Sequence, residues 1–345
     1  MKDVVLGMVN MESAVGDVEA NLATMERWAK EAAKAGVEIL VYPELCVSGY
    51  DCSDAGPLFP EAIPPIPSDV TERLCAMAAE HGMMMLPGLL EREPGGAVFN
   101  TQLVIEADGT LQGCYRKTHP GITELPTFGA GDELPIFHHP KVTFGVQICY
   151  VSAPRHPAPP HHRLATAPHS TSLTPRIGRQ DTHFPVPSAL LAEKGAELIL
   201  CPHASAVETV SSMDENTGFA PGRTESREAG ELKYERWLRY VPARAYDNSV
   251  FTAICNQCSL GPAAHPDHVA AAGGGASFDG GGVSFVCGPA GDVVARGLSF
   301  DESLLVHTLE AAELERVRGT PISFFRRWHH PKTREWAAEI SGSRL

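Results

Sequence analysis

Short apolar runs of strand length recur along this chain, each separated from the next by a stretch with helical spacing. That alternation leaves few architectures open. Residues 4–9 form a first apolar run. Asp17 then offers a helix cap, and Leu22, Met25, Ala29 and Ala32 fall on one face of a helix over residues 18–35 that Gly36 ends. A strand over residues 37–42 follows and stops at Pro43-Glu44. The unit repeats with Ser68 as cap, a helix through His81, Gly82 as stop and a strand over 83–86. Residues 101–107 and 111–116, joined at Asp108-Gly109, read as a hairpin. Residues 142–148 form another strand, which delivers Cys149 at its end. Beyond it come a helix over 185–194, a strand over 196–201 and a helix over 232–246 that would have to tolerate Pro242. Strands over 250–255, 283–286, 293–295 and 304–308 complete the pattern. Interleaved strands and helices predict an α/β sheet, and the hairpins demand antiparallel pairs within it.

Charge and cysteine usage narrow the function classes. The formal net charge of −14 disfavours a phosphate-backbone partner, so no nucleic-acid binding is expected. No apolar run is long enough to span a membrane and no basic-then-apolar leader opens the chain, which predicts a cytoplasmic protein with no membrane association. Nine cysteines, an odd number in a long chain, do not form a disulfide framework and read as free thiols. Cys255 and Cys258 are a lone pair without a second Cys or His pair at finger-like spacing, so no structural metal is expected.

Three residues stand where chemistry is usually placed. Cys149 ends a buried strand before a turn, which projects a nucleophile into the crevice where α/β sheets bind ligands. Glu44 ends another apolar strand, where a carboxylate has no packing role and could act as a base. Lys117 lies where the second hairpin strand runs out, and an ammonium there could hold an oxyanion. Taken singly, each has a plainer reading: a core thiol, a surface carboxylate, a solvated basic pair.

Together, and in this order, they resemble the nitrilase superfamily, the carbon–nitrogen hydrolases with a Glu-Lys-Cys triad. The resemblance runs from Val4 to about Arg318. Supporting segments are Tyr42-Pro43-Glu44-Leu45, Phe128-Gly129-Ala130-Gly131-Asp132, Lys194-Gly195-Ala196-Glu197, Pro242-Ala243-Arg244-Ala245-Tyr246-Asp247-Asn248 and Gly288-Pro289-Ala290-Gly291-Asp292. It implies a four-layer α-β-β-α sandwich and a homodimer or larger homo-oligomer. It makes Glu44 the general base, Lys117 the oxyanion stabiliser and Cys149 the nucleophile. Glu124, rather than Glu133, matches the family's second glutamate, and the Tyr150 backbone N–H becomes an oxyanion donor. The implied chemistry hydrolyses a small amide, releases ammonia through a thioester and needs no cofactor.

The chain also departs from the family. Relatives continue Ile-Cys-Tyr-Asp without interruption; here Ile148-Cys149-Tyr150 resumes only at Asp181-Thr182-His183-Phe184-Pro185. The intervening 151–180 holds six prolines, four histidines, four arginines and no acidic residue. Two readings stand side by side. One is a lid or specificity loop; the other is translated intron, since valine codons begin GT and glutamine can be CAG. Tyr150 rather than Trp-Glu points to the amidase and carbamoylase branches, with a true nitrilase as the alternative. Thr182-His183 replaces the arginines that clamp a carboxylate in carbamoyl-D-amino-acid hydrolases. A primary amide or N-carbamoyl compound is therefore the expected substrate, with His183, His203 and Arg244 as candidate substrate-binding residues. The domain is read as 1–320, and the tail 321–345 as a segment packing on a partner subunit. The rival from another class is a catalytically impaired relative with a binding or assembly role.

Overall fold

The computed structural model describes residues 1–50, 62–121, 124, 127–149, 185–204, 234–258, 282–298 and 301–320. The proposed insert and the tail lie outside them. The described strands form two sheets. The first contains β1 (Val4–Asn10), β2 (Ile39–Val41), β3 (Met84–Leu86), β4 (Gly88–Arg92), β5 (Val98–Ile105), β6 (Leu111–Arg116) and β13 (Ser303–Leu309). Its order is β13-β1-β2-β3-β5-β4, with β6 also on β5. The second contains β7 (Ile136–His139), β8 (Val142–Val146), β9 (Leu198–His203), β10 (Phe251–Asn256), β11 (Val283–Cys287) and β12 (Val293–Leu298), ordered β12-β11-β10-β9-β8-β7. In each sheet three parallel strands, β1-β2-β3 or β8-β9-β10, carry antiparallel neighbours on both sides.

The period of two in these strands assigns their faces. Leu6, Met8, Ile39 and Val41 meet Phe144, Leu198, Leu200 and Phe251 in one core between the sheets. The alternate residues Leu40 and Tyr42 turn outward onto α1 (Val18–Lys34) and α2 (Asp69–His81), meeting Leu22, Met25 and Leu74. On the other side, Ile199, Cys201 and Ile254 turn outward onto α3 (Pro185–Glu193) and α4 (Val241–Asn248), meeting Leu191 and Ala245. The layers therefore run helix, sheet, sheet, helix, as the resemblance implied. A last helix, α5 (Ala311–Gly319), follows β13.

Local signals act as expected at the helix ends. The Asp17 carboxylate accepts from the Ala20 N–H, and Ser68 forms a reciprocal cap with Thr71. Gly82, at φ +62°, closes α2 in the left-handed region. The expected helix over 232–246 is instead broken. Residues 234–237 are helical, 238–240 turn, and α4 restarts with Pro242 in its first turn. Proline has no N–H to donate and its ring crowds the carbonyl four residues back, so it is accommodated only at a helix start.

Candidate active site

Four of the expected residues converge at the same end of the sandwich. Glu44 follows β2 at the start of a turn whose next residue, Leu45, has φ +54°. Lys117 follows β6, where its N–H continues the ladder by donating to the Asn100 carbonyl at 2.8 Å. Glu124 lies in the loop beyond. On the opposite sheet, the N–H groups of Gln147 and Cys149 keep pairing with the Leu200 and Pro202 carbonyls past the end of β8. Cys149 itself then takes φ +42°, a conformation that costs a non-glycine residue of order 1–3 kcal/mol and that recurs at functional sites.

All four side chains are buried; Lys117 and Glu44 are 1% and 0% exposed. The Lys117 ammonium donates to Glu44 Oε1 at 2.9 Å and to Glu124 Oε1 at 3.0 Å. Glu44 Oε1 also accepts from Asn100 Nδ2 at 2.7 Å, and Oε2 from the Ala204 N–H at 2.7 Å. The Cys149 thiol is hydrogen-bonded to the Glu44 carboxylate, lies within electrostatic reach of Lys117, and faces the Ala204 backbone amide. Glu124 is fixed in turn by the Tyr50 hydroxyl at 2.6 Å and by the Gly121 N–H.

Electrostatics follow from one cation between two carboxylates in a dry site. Burial opposes the charged form of Lys117, but Glu124 and Glu44 outweigh it and hold the ammonium well above its ordinary pKa. Burial, reinforced by Glu44, pushes the Cys149 thiol well above the ordinary range, with Lys117 only partly offsetting it. The resting group is thus a thiol that needs a base, and the carboxylate bonded to it is the group that can take its proton. Lysine has three N–H donors, and Glu44 and Glu124 use two, which leaves one for an anionic oxygen.

The remaining expected residues are placed differently. His203 is buried at the end of β9, on the face turned toward the helices. Its Nδ1 lies 2.9 Å from the Cys201 carbonyl and its ring meets Trp237 edge-on at 4.9 Å. Its neighbour Ala204 is the residue that reaches Glu44. Arg244 sits on α4, outside the second sheet; burial lowers its pKa, while Asp247 and Tyr240 act against that. Glu133 is exposed, in contrast to Glu124. Tyr150 and His183 lie outside the described residues. Cys255 is not directed at a metal, since its thiol donates to the Val9 and Val41 carbonyls. Among the described residues the one group of potential metal ligands is Glu26, Glu80 and His81, on α1 and α2.

Sequence reasoning missed Asn100, Tyr50 and Gln257, whose Nε2 donates to the Glu44 backbone carbonyl at 2.8 Å. Asn100 lies just before the strand read over 101–107; the structure extends that strand to Val98 and buries Asn100 in line with Gln102 and Val104.

Comparison with known proteins gives this geometry a context. A family model described as carbon-nitrogen hydrolase matches residues 6–153. The chain is 27% identical over 307 residues to omega-amidase NIT2 of Xenopus tropicalis, covering 86% of each. It is 26% identical over 308 residues to N-carbamoylputrescine amidase of Solanum lycopersicum, covering 88% of this chain and 85% of the relative. Among solved structures, Saccharomyces cerevisiae Nit3, described as a member of branch 10 of the nitrilase superfamily, superposes with a TM-score of 0.64 at 22% identity. That superposition covers 94% of this chain and 97% of the other. An amidase from Nesterenkonia sp. gives 0.62 at 22% identity, covering 94% and 96%. In its sequence motifs, in relatives along most of its length and in its layered architecture, the chain is similar to the nitrilase superfamily of carbon–nitrogen hydrolases.

Proposed function

We propose that the chain hydrolyses a non-peptide C–N bond of a primary amide or an N-carbamoyl compound through a Cys149 thioester. The observation that carries this reading is the buried contact of one thiol, one ammonium and two carboxylates. Glu44 takes the thiol proton as the sulfur attacks the carbonyl carbon, and the new oxyanion is held by the third Lys117 N–H and the Tyr150 backbone N–H. Glu44 returns the proton to the leaving nitrogen, and ammonia or an amine departs. The same carboxylate then deprotonates water, which attacks the thioester, releases the acid and restores the thiol. Glu124 holds Lys117 throughout. The named activities of omega-amidase and N-carbamoylputrescine amidase relatives favour this substrate class.

Ammonia release from a panel of primary amides, N-carbamoyl amines and nitriles tests the proposal. Turnover of amides or carbamoyl compounds, lost in Cys149→Ala, is expected. Turnover confined to nitriles, or unaffected by that substitution, would reject it.

A second reading, impaired catalysis with a binding role, is favoured by residues 151–180. The family match ends at residue 153, just inside that segment. We read 1–320 as one catalytic domain interrupted there. A form lacking 151–180 is expected to turn over faster than the full chain; equal rates would remove this reading. The chain is also proposed to self-associate through α3 and α4, where Val186 and Tyr246 are exposed. A monomer by light scattering would contradict that.

A further inference from the structure

Glu44 must be protonated and deprotonated twice per turnover under the mechanism proposed above, and the structure holds it with donors of different kinds. Lys117 is an ionic partner, so its grip weakens whenever the carboxyl is protonated, and it is shared with Glu124 at 3.0 Å. Ala204 supplies a backbone N–H to Oε2 at 2.7 Å. Asn100 supplies a neutral side-chain donor to Oε1 at 2.7 Å.

The orientation of the Asn100 amide is dictated by chemistry, because an ionised carboxylate only accepts and the NH2 end must face it. Its other end is buried and has no hydrogen-bond partner among the described residues. A half-satisfied buried amide on a strand is not a packing solution, since buried polar atoms are ordinarily paired. The same residue also fixes Lys117, whose N–H donates to the Asn100 backbone carbonyl at 2.8 Å. β5, which carries Asn100, is bonded to β3, β4 and β6, so this anchor is itself held on several sides.

We propose that Asn100 is a positioning residue that keeps the Glu44 carboxyl aimed at the Cys149 thiol through its protonation cycle, while the third N–H of Lys117 engages the substrate oxyanion. This role rests on the mechanism proposed above. It differs from a structural one because it follows the charge state of Glu44.

Iodoacetamide labelling of Cys149, followed by peptide mass spectrometry from pH 5 to 9, reports thiol activation without any substrate. Asn100→Leu keeps the branching at Cγ and removes the donor. Asn100→Asp keeps the shape, and donates to Glu44 only while the new carboxyl is protonated. Wild-type Cys149 is expected to label faster than the other buried thiols. Asn100→Leu should label about ten- to a hundredfold more slowly, the loss expected for a hydrogen bond to a charged group. Asn100→Asp should approach the wild-type rate at low pH and fall toward the leucine variant as pH rises. On an active substrate, kcat should drop with KM within about threefold.

Leucine-variant labelling within twofold of wild type overturns the proposal, as does an aspartate variant that tracks wild type at every pH. Unselective wild-type labelling overturns it too. If the leucine variant does not fold, the isosteric aspartate variant decides alone. Selective wild-type labelling without amide or carbamoyl turnover would reject the proposed substrates and leave this comparison valid.

Discussion

At Lys117 a single ammonium bridges two carboxylates in a buried site, so the balance of charge there depends on one side chain. Lys117→Met should leave Glu44 and Glu124 facing each other without a cation. Removing one partner from a buried ionic set costs on the order of 3–5 kcal/mol. Urea denaturation should show a loss of that size along with lost turnover, and unchanged stability would contradict the charge arrangement. Cys149→Ala, in contrast, should lower turnover by at least about a thousandfold with the fold intact. Tyr50→Phe removes the 2.6 Å hydrogen bond to Glu124 and should lower kcat by about tenfold. Equal kcat would show that Glu124 is held without it. Glu44, Lys117 and Cys149 stood out because each sits where an apolar run or hairpin strand ends, whereas Glu124 came only from the family resemblance. Asn100 did not, because a polar residue at the start of a strand looks the same whether it faces solvent or a carboxylate. Only the pairing of β5 with its neighbours decides that.

The elements were read best where an apolar run and a stop signal coincide, as in α1 and α2. β4 was missed because Glu91 and Arg92 give it a polar end, although they pair with Arg116 and within the sheet. β7 was missed because its four residues, Ile136–His139, are too short for a periodic pattern. The end of β6 offers a test of how closely the elements must fit. Gly131 donates its N–H to the Lys117 carbonyl at 2.9 Å, and a Cβ built there would lie 2.3 Å from the Arg116 carbonyl oxygen. Gly131→Ala must therefore push back the strand end that carries Lys117. It should cost about 1–3 kcal/mol of stability and lower kcat more than it raises KM. Wild-type kinetics and melting would show that the loop, rather than the strand, gives way.

For the whole molecule, pH dependence follows from how many protons the fold retains. Burial pushes Cys46 and Cys287 up to about 12, and Cys149, Cys255, Tyr42 and Tyr50 also lie well above their ordinary values. Above about pH 9 the unfolded chain releases thiol protons that the folded chain keeps, so stability falls as pH rises, by roughly 1.4 kcal/mol per pH unit for each such group. Lys117 acts in the same direction, its contribution being complete below its unfolded pKa and lost above it. Urea midpoints should be level from pH 7 to 8.5 and drop steeply by pH 10.5; a flat profile would contradict the burial of these groups. Among the described residues, no helix is long and apolar enough to cross a membrane.

The base and the nucleophile come from different sheets, and the Ala204 N–H of the second sheet is bound to the Glu44 carboxylate of the first. Among the described residues no disulfide joins the two layers, so the fit of the site leans on the apolar face they share. Loosening that seam by an ångström or two would separate proton acceptor from sulfur while every strand kept its own ladder. Under rising urea, selective labelling of Cys149 should vanish before the far-ultraviolet circular dichroism changes. A molecule slightly ajar would look folded to a spectrometer and be chemically silent.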